Sequence, residues 1–388
     1  RSKANNGRYP LNSGTGQDLT QYFGIGDVVV GQLSGARGIV TGFSGVGNVN
    51  VLVQGLASTS FGAVGNDSTD DTTALAAAVT AALAADTPLY IPPGTYKITS
   101  ALNLRGAGLH VFGAGFNTTK IKQYTANTPG IQVGGEGQDI GHMQIQFATQ
   151  APSTDTNSIG MTIGESAGVN FGFMSRYHDL NILLAQTSMK NAYAAGGFFS
   201  CQFDNIRIQG YSTSAIDFQA SGGAFTGCVF NNTYIQNNYP GTPQACTGRP
   251  IWLANFTEGV FNQLNIEWCV PAESLFKLDS SQITINGFHV EGITHSVNKS
   301  IISLNQSRVN INSGVVAFNT FSGGTANPVF SMFSTANNGV TVNGWEEANN
   351  TVTTPSRPFL DLASTSNATA SFNNVELAQT TRRVANND

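Results

Sequence analysis

The chain has 388 residues and a formal net charge of −5, and only 11% of its residues are charged, under half the usual ~25% of globular proteins. That sparseness excludes a coiled coil or a Glu/Lys-rich helical bundle, while 40% hydrophobic residues and 24 Phe exclude a disordered chain. The acidic balance, with no Lys/Arg cluster, argues against a nucleic-acid partner, and the longest Ala-rich run, residues 74–85, is too short and polar to insert in a membrane.

The sequence starts Arg1-Ser2-Lys3-Ala4, with no Met and no apolar signal core, and reads as a piece of something longer. Residues 1–58 are Gly-rich with short β-branched runs at 28–30 and 49–53, which predicts a small β neck. Residues 59–125 are read as a capping helix and the first coils of a longer body. The helix is predicted over 67–86: Asp67, Ser68 and Thr69 offer N-caps, Asp70 and Asp71 suit the positive helix start, and Pro88 stops it. Strand, turn and strand follow in Leu89-Tyr90-Ile91-Pro92-Pro93-Gly94-Thr95-Tyr96-Lys97-Ile98.

Residues 126–388 repeat themselves. One element is a short strand Φ-x-Φ, with Φ apolar, at 131–133, 161–163, 216–218, 251–253, 276–278, 302–304, 330–332 and 360–362. The second is an aromatic, two polar residues, then Φ-x-Φ-x, as in Phe203-Asp204-Asn205-Ile206-Arg207-Ile208-Gln209 and Phe261-Asn262-Gln263-Leu264-Asn265-Ile266-Glu267. Its anchors Leu180, Ile206, Thr233, Leu264 and Phe288 recur every 24 to 31 residues. Strands this short at a step this long exclude a hairpin meander. They predict an all-β, right-handed, single-stranded parallel β-helix whose coils stack about 4.8 Å apart. The anchors form an interior column, and the Asn residues after the aromatic form a ladder at the bend. None of the four cysteines forms a C-x-x-C pair, and Cys201 and Cys228, both two residues before an aromatic, belong in the core. No cofactor and no metal are implied.

The segment Phe61-Gly62-Ala63-Val64-Gly65-Asn66-Asp67-Ser68-Thr69-Asp70-Asp71-Thr72, followed by the Ala helix and Tyr90-Ile91-Pro92-Pro93-Gly94-Thr95-Tyr96, resembles the opening of the pectate-lyase-like β-helix superfamily. Asn66-Asp67-Ser68 departs from the Asp-Gly usual there. Low charge, Asn/Ser/Thr/Gly richness and the Gly-rich neck make the chain most similar to bacteriophage tailspike depolymerases. That resemblance implies a homotrimer in the virion tail that binds bacterial surface polysaccharide (capsule, exopolysaccharide or O-antigen) and cuts it at the cell surface. The Asp-Asp and G-H-G signatures of polygalacturonases are missing, as is a calcium-binding Asp cluster, and Asp70-Asp71 reads as structural.

In each Φ-x-Φ-x strand the x residues face solvent. Stacking the coils places Asn181, Arg207, Tyr234, Asn265 and His289 in one column and Leu183, Gln209, Gln236, Glu267 and Glu291 in the next. Amides and charges suit sugar hydroxyls, an aromatic suits a pyranose face, and acids supply chemistry. Glu267 and Glu291 are therefore the candidate catalytic pair, and Arg207, Tyr234, Gln236, Asn265, His289 and Trp268 the candidate substrate-binding residues. Asp179 and Asp204 read as turn formers, His110, His142, His178 and His295 as hydrogen-bonded structural residues, and Glu346 and Glu347 as a surface turn. Asp217, Trp252 and Lys277 form a column on another face. Endo-acting glycoside hydrolysis is the leading expectation. The alternatives are a lyase, with Arg207, Tyr234 and His289 handling a uronate, and a non-enzymatic receptor-binding fibre.

Overall fold

The computed structural model describes residues 56–164, 171–192, 197–220, 224–238, 244–295, 299–322, 328–333, 338–352, 358–363, 368–377 and 381–386, and the strands 28–30, 37–43 and 49–53. The body is a parallel β-solenoid of about ten coils. Two fifteen-stranded sheets dominate it. One carries the long strands, among them Asp139–Phe147, Arg176–Leu183, Gln202–Gln209, Val229–Gln236, Gly259–Glu267, Gln282–Glu291, Arg308–Ala317 and Gly339–Ala348. The other carries the Φ-x-Φ strands, from Ile131–Glu136 to Pro358–Ala363, together with two-residue strands such as Phe198–Phe199 and Phe225–Thr226. Ahead of the body, Val28–Val30, Arg37–Phe43 and Val49–Val53 pair antiparallel.

The repeat seen in the sequence is a bent strand. Asp179, Asn205, Asn232 and Gln263 have φ between 49° and 61°, and Gly287, Ser313 and Gly344 follow with φ of 77°, 68° and 84°. This left-handed residue is skipped in the pairing and turns the strand between its aromatic half and its Φ-x-Φ half. Asn, Asp and Gly tolerate the conformation, which explains the polar pair after each aromatic.

Pairing then stacks like on like. Leu180, Ile206, Thr233, Leu264 and Phe288 are register partners in consecutive coils, none more than 1% exposed. The column runs on to Gly314 and Trp345, where a Cβ on residue 314 would lie 2.4 Å from the indole. Phe203, Phe230 and Phe261 stack at centroid distances of 4.3 and 4.5 Å with rings within 9° of parallel. The Asn ladder forms as expected. Asn231 donates to Asp204, and Asn262, Asn286, Asn312, Asn343 and Asn373 each donate to the residue one coil back, at 2.6–3.0 Å. Each rung satisfies an amide that adjacent coils would otherwise leave half-paired. All four cysteines are buried free thiols.

Two local readings need correction. The helix spans Thr72–Ala85 and starts five residues later than expected, because Asn66–Asp70 pairs with the strand Gly94–Ile98. Asp67–Thr69 do not cap it. Asp71 stands at the N-cap, but its buried carboxylate accepts the backbone N–H groups of Val64 and Gly65 at 2.7 and 3.0 Å. The helix ends at Asp86, in the left-handed region at φ 47°, two residues before Pro88. Its Leu75, Ala78, Val79 and Ala82 join the main core. Glu346 and Glu347 lie within the strand Gly339–Ala348. Glu347 aligns with the inward Val290 and Val316 and is 4% exposed.

Candidate functional site

The outer face of the long-strand sheet carries both predicted columns in the predicted register. Asn181, Arg207, Tyr234, Asn265 and His289 pair in sequence, as do Leu183, Gln209, Gln236, Glu267 and Glu291. The structure extends each column toward the N-terminus. Thr95, Lys120 and Gln144 precede Asn181, and Lys97, Lys122 and Gln146 precede Leu183. Beyond His289 come Val315 and Glu346. The face is therefore polarised, with cations at its N-terminal end, amides in the middle and carboxylates at its C-terminal end.

At the acidic end the two glutamates stand in adjacent coils, and each has a polar partner. Tyr234 donates its hydroxyl to Glu267 Oε2 at 2.6 Å, and His289 Nε2 lies 3.0 Å from Glu291 Oε2. Burial, with the hydrogen bond to Glu267, pushes the Tyr234 phenol above its usual range, so it stays a donor. The Arg207 guanidinium sits 5.7 Å from the centre of the Tyr234 ring. Gln209 donates to Gln236 at 3.1 Å. Trp268 follows Glu267 at φ 53° and is 39% exposed, its ring covering Gly292 so closely that a Cβ there would lie 2.8 Å from it. Phe318, which follows Ala317, is 60% exposed. Since Glu267, Glu291 and Ala317 are register partners, Trp268 and Phe318 flank Gly292 at the edge of the carboxylate end.

A basin of about 410 Å³ lies at the cationic end, lined by Lys120, Lys122, Gln144, Gln146, Asn181 and Arg207 among others. Lys122 is paired with Asp67 at 2.8 Å. Neither Lys120 nor Arg207 has an ion-pair partner among the described residues. Asn181 is 3% exposed, and its Oδ1, like Arg207 Nε, is buried without a hydrogen-bond partner among the described residues. A smaller apolar recess of about 320 Å³ adjoins it between Phe116, Leu180, Ile206 and Tyr234. Lys120, Lys122, Gln144 and Gln146 escaped the sequence reading because their coils lack the aromatic that marks the repeat. Their signal is the alternation of Thr119–Gln123, in which Lys120 and Lys122 face outward.

On the other large sheet Asp217, Trp252 and Lys277 do align. Trp252 is occupied there, with Arg249 and Lys277 4.7 and 4.3 Å from its ring and its indole N–H donated to Asp279 at 2.6 Å. Burial raises the Asp361 carboxyl, further along the same sheet.

The family model described as rhamnogalacturonase A/epimerase, pectate lyase-like, matches residues 57–294. The chain belongs to this family. No curated protein sequence matches it. Among solved structures, the tailspike gp42 of Acinetobacter phage vb_AbaP_AS12 superposes with a TM-score of 0.55 at 12% identity, over 85% of this chain and 57% of the tailspike. The enzymatically active domain of tailspike protein 2 from bacteriophage CBA120 gives a TM-score of 0.54 at 11% identity, over 89% of this chain and 51% of that one. The chain thus spans little more than half of these tailspikes. At such identities the likeness is one of fold, and it agrees with the superfamily that the FGA segment resembles.

Proposed function

We propose that this chain is the polysaccharide-cleaving part of a phage tailspike, an endo-acting glycoside hydrolase on a bacterial surface polysaccharide. The observation that carries the reading is the pair Glu267 and Glu291, one coil apart at the end of a face of amides, cations and exposed aromatics. Adjacent coils stand about 4.8 Å apart, near the ~5–5.5 Å carboxyl separation of retaining glycosidases. Glu267, which accepts the Tyr234 hydroxyl, is the nucleophile. Glu291, beside His289, is the acid and base. Glu291 protonates the glycosidic oxygen as Glu267 bonds to the anomeric carbon and the leaving chain departs. Glu291 then takes a proton from water, which displaces Glu267 and frees the product. Trp268 gives a sugar ring a platform, and Asn265, Gln236, Asn181 and Arg207 bind hydroxyls or acidic substituents. The tailspike reading also carries a homotrimer at the virion tail.

A specific observation favours a second reading. Arg207 beside the Tyr234 phenol, with Lys120 and Lys122 further along, suits a lyase that neutralises a uronate and moves a proton through Tyr234 or His289. One experiment separates the readings. The protein is incubated with host surface polysaccharide, and product size, reducing ends and ultraviolet absorbance are followed. Shorter chains without a rise in absorbance support the hydrolase. A rise from a new C=C bond identifies a lyase, and unshortened polymer identifies a binding fibre.

A further inference from the structure

Three of the five histidines lie within three consecutive coils, on the long-strand sheet but away from the glutamates. His142 and Asp179 are bend residues of neighbouring strands, at φ 58° and 49°. His178 precedes Asp179 and pairs with Gly141. A Cβ at position 141 would lie 2.7 Å from His178 Cε1 and 2.8 Å from Nδ1, so the glycine makes room for the imidazole. The two imidazole rings meet edge to face at 4.7 Å.

Their donor atoms converge. Asp179 Oδ2 is 2.8 Å from His178 Nδ1 and 3.2 Å from His142 Nδ1. The three ligand atoms lie within 4.8 Å of one another, a set of two imidazole nitrogens and one carboxylate oxygen. Tetrahedral bonds of ~2.0–2.1 Å place neighbouring ligand atoms about 3.3 Å apart, so small side-chain shifts open the cluster to that geometry. Outer contacts already orient the ligands. Asn205 donates a hydrogen bond to the other Asp179 oxygen at 2.6 Å, and Asp139 Oδ1 stands 2.9 Å from His178 Nε2 as an ion-pair contact without hydrogen-bond geometry. Such partners are what fix metal-binding imidazoles and carboxylates in place.

We propose that His142, His178 and Asp179 form a site for a zinc-class divalent cation that staples two consecutive coils. Imidazole nitrogens select such an ion over calcium or magnesium, which take oxygen ligands. The side chain of His178 is 8% exposed and that of His142 47% exposed. The open side of the site therefore faces solvent, where a water or an anionic group completes the coordination.

Isothermal titration of the metal-free chain with zinc chloride tests the site, with circular dichroism as the folding control. One Zn²⁺ per chain is expected. His142→Asn and Asp179→Asn, whose new residues tolerate the left-handed bend, are each expected to weaken binding at least ~10-fold, and Asp139→Asn about 10–100-fold. His289→Gln removes the imidazole beside Glu291 and is expected to leave zinc binding unchanged. Cobalt(II) substitution is expected to give a visible ligand-field spectrum that His142→Asn abolishes. No binding to the unaltered chain, or undiminished binding by folded His142→Asn, overturns the site. Should Asp179→Asn fail to fold, half-exposed His142 still decides the matter.

Discussion

Replacing Glu267 or Glu291 by Gln separates chemistry from structure. Gln already occupies the same column at Gln209 and Gln236, so the strand accepts it. The Tyr234 hydroxyl can still donate to the amide oxygen at position 267. Loss of the charge weakens one partly exposed contact by no more than ~1 kcal/mol, and relief of like-charge repulsion between adjacent coils acts the other way. Stability therefore changes by less than about 1 kcal/mol. Catalysis changes far more. A general acid or base contributes ~10²–10⁴-fold, which at ~1.36 kcal/mol per decade is about 2.7–5.4 kcal/mol of barrier. The assay is the initial rate of reducing-end release from saturating host polysaccharide, with thermal unfolding and light scattering on the same samples. Each variant is expected to fall at least ~10²-fold while folding and assembly hold. The double variant is expected to fall little further, as for groups that act as one unit. Full activity in both single variants would refute the assignment and direct the search to Glu346 or Asp361.

Phe230 has a ring stacked on each side and is fully buried, so Phe230→Ala is expected to cost about 3–5 kcal/mol in denaturant unfolding; a loss under ~1 kcal/mol would contradict the stacked core. Lys120→Gln combined with Arg207→Gln is expected to weaken binding of a carboxylate-bearing polysaccharide and flatten its salt dependence, while a carboxyl-reduced form of the same polymer binds as before. Equal effects on both polymers would count against an acidic ligand at the basin. Light scattering is expected to give three times the 40.8 kDa chain mass, and a monomer mass would contradict the trimer.

Much of this architecture was legible in the residues, because a parallel coil repeats its inward pattern at every turn. The alignment of Leu180 with Ile206, Thr233, Leu264 and Phe288 follows from one aromatic and one alternation, and it places the outward columns in the same step. The first coils were harder to read. They carry the alternation of Lys120 and Lys122 without the marker aromatic, so the sequence repeat does not reach the cationic end of the polar face. Competition between local and long-range pairing explains the helix start: Asp67 to Thr69 have cap chemistry, but Asn66 and Asp70 on either side of them pair with Thr95 and Lys97, which holds the three residues in a bulge of that strand. Glu347 was misplaced because a carboxylate after Trp345 looks superficial in isolation, whereas register with Val290 and Val316 turns it inward. The convergence of His142, His178 and Asp179 depends on two bends in neighbouring coils, which spacing along the chain does not encode.

The most direct measurement is a structure of Glu267→Gln soaked with an oligosaccharide of the host polysaccharide. The sugar chain is predicted to run along the Asn181–His289 column, with its scissile glycosidic oxygen within ~3.2 Å of the Glu291 carboxyl and its anomeric carbon facing the residue 267 amide. An oligosaccharide seated on the Asp217–Lys277 face, or between chains with both positions out of reach, would contradict it.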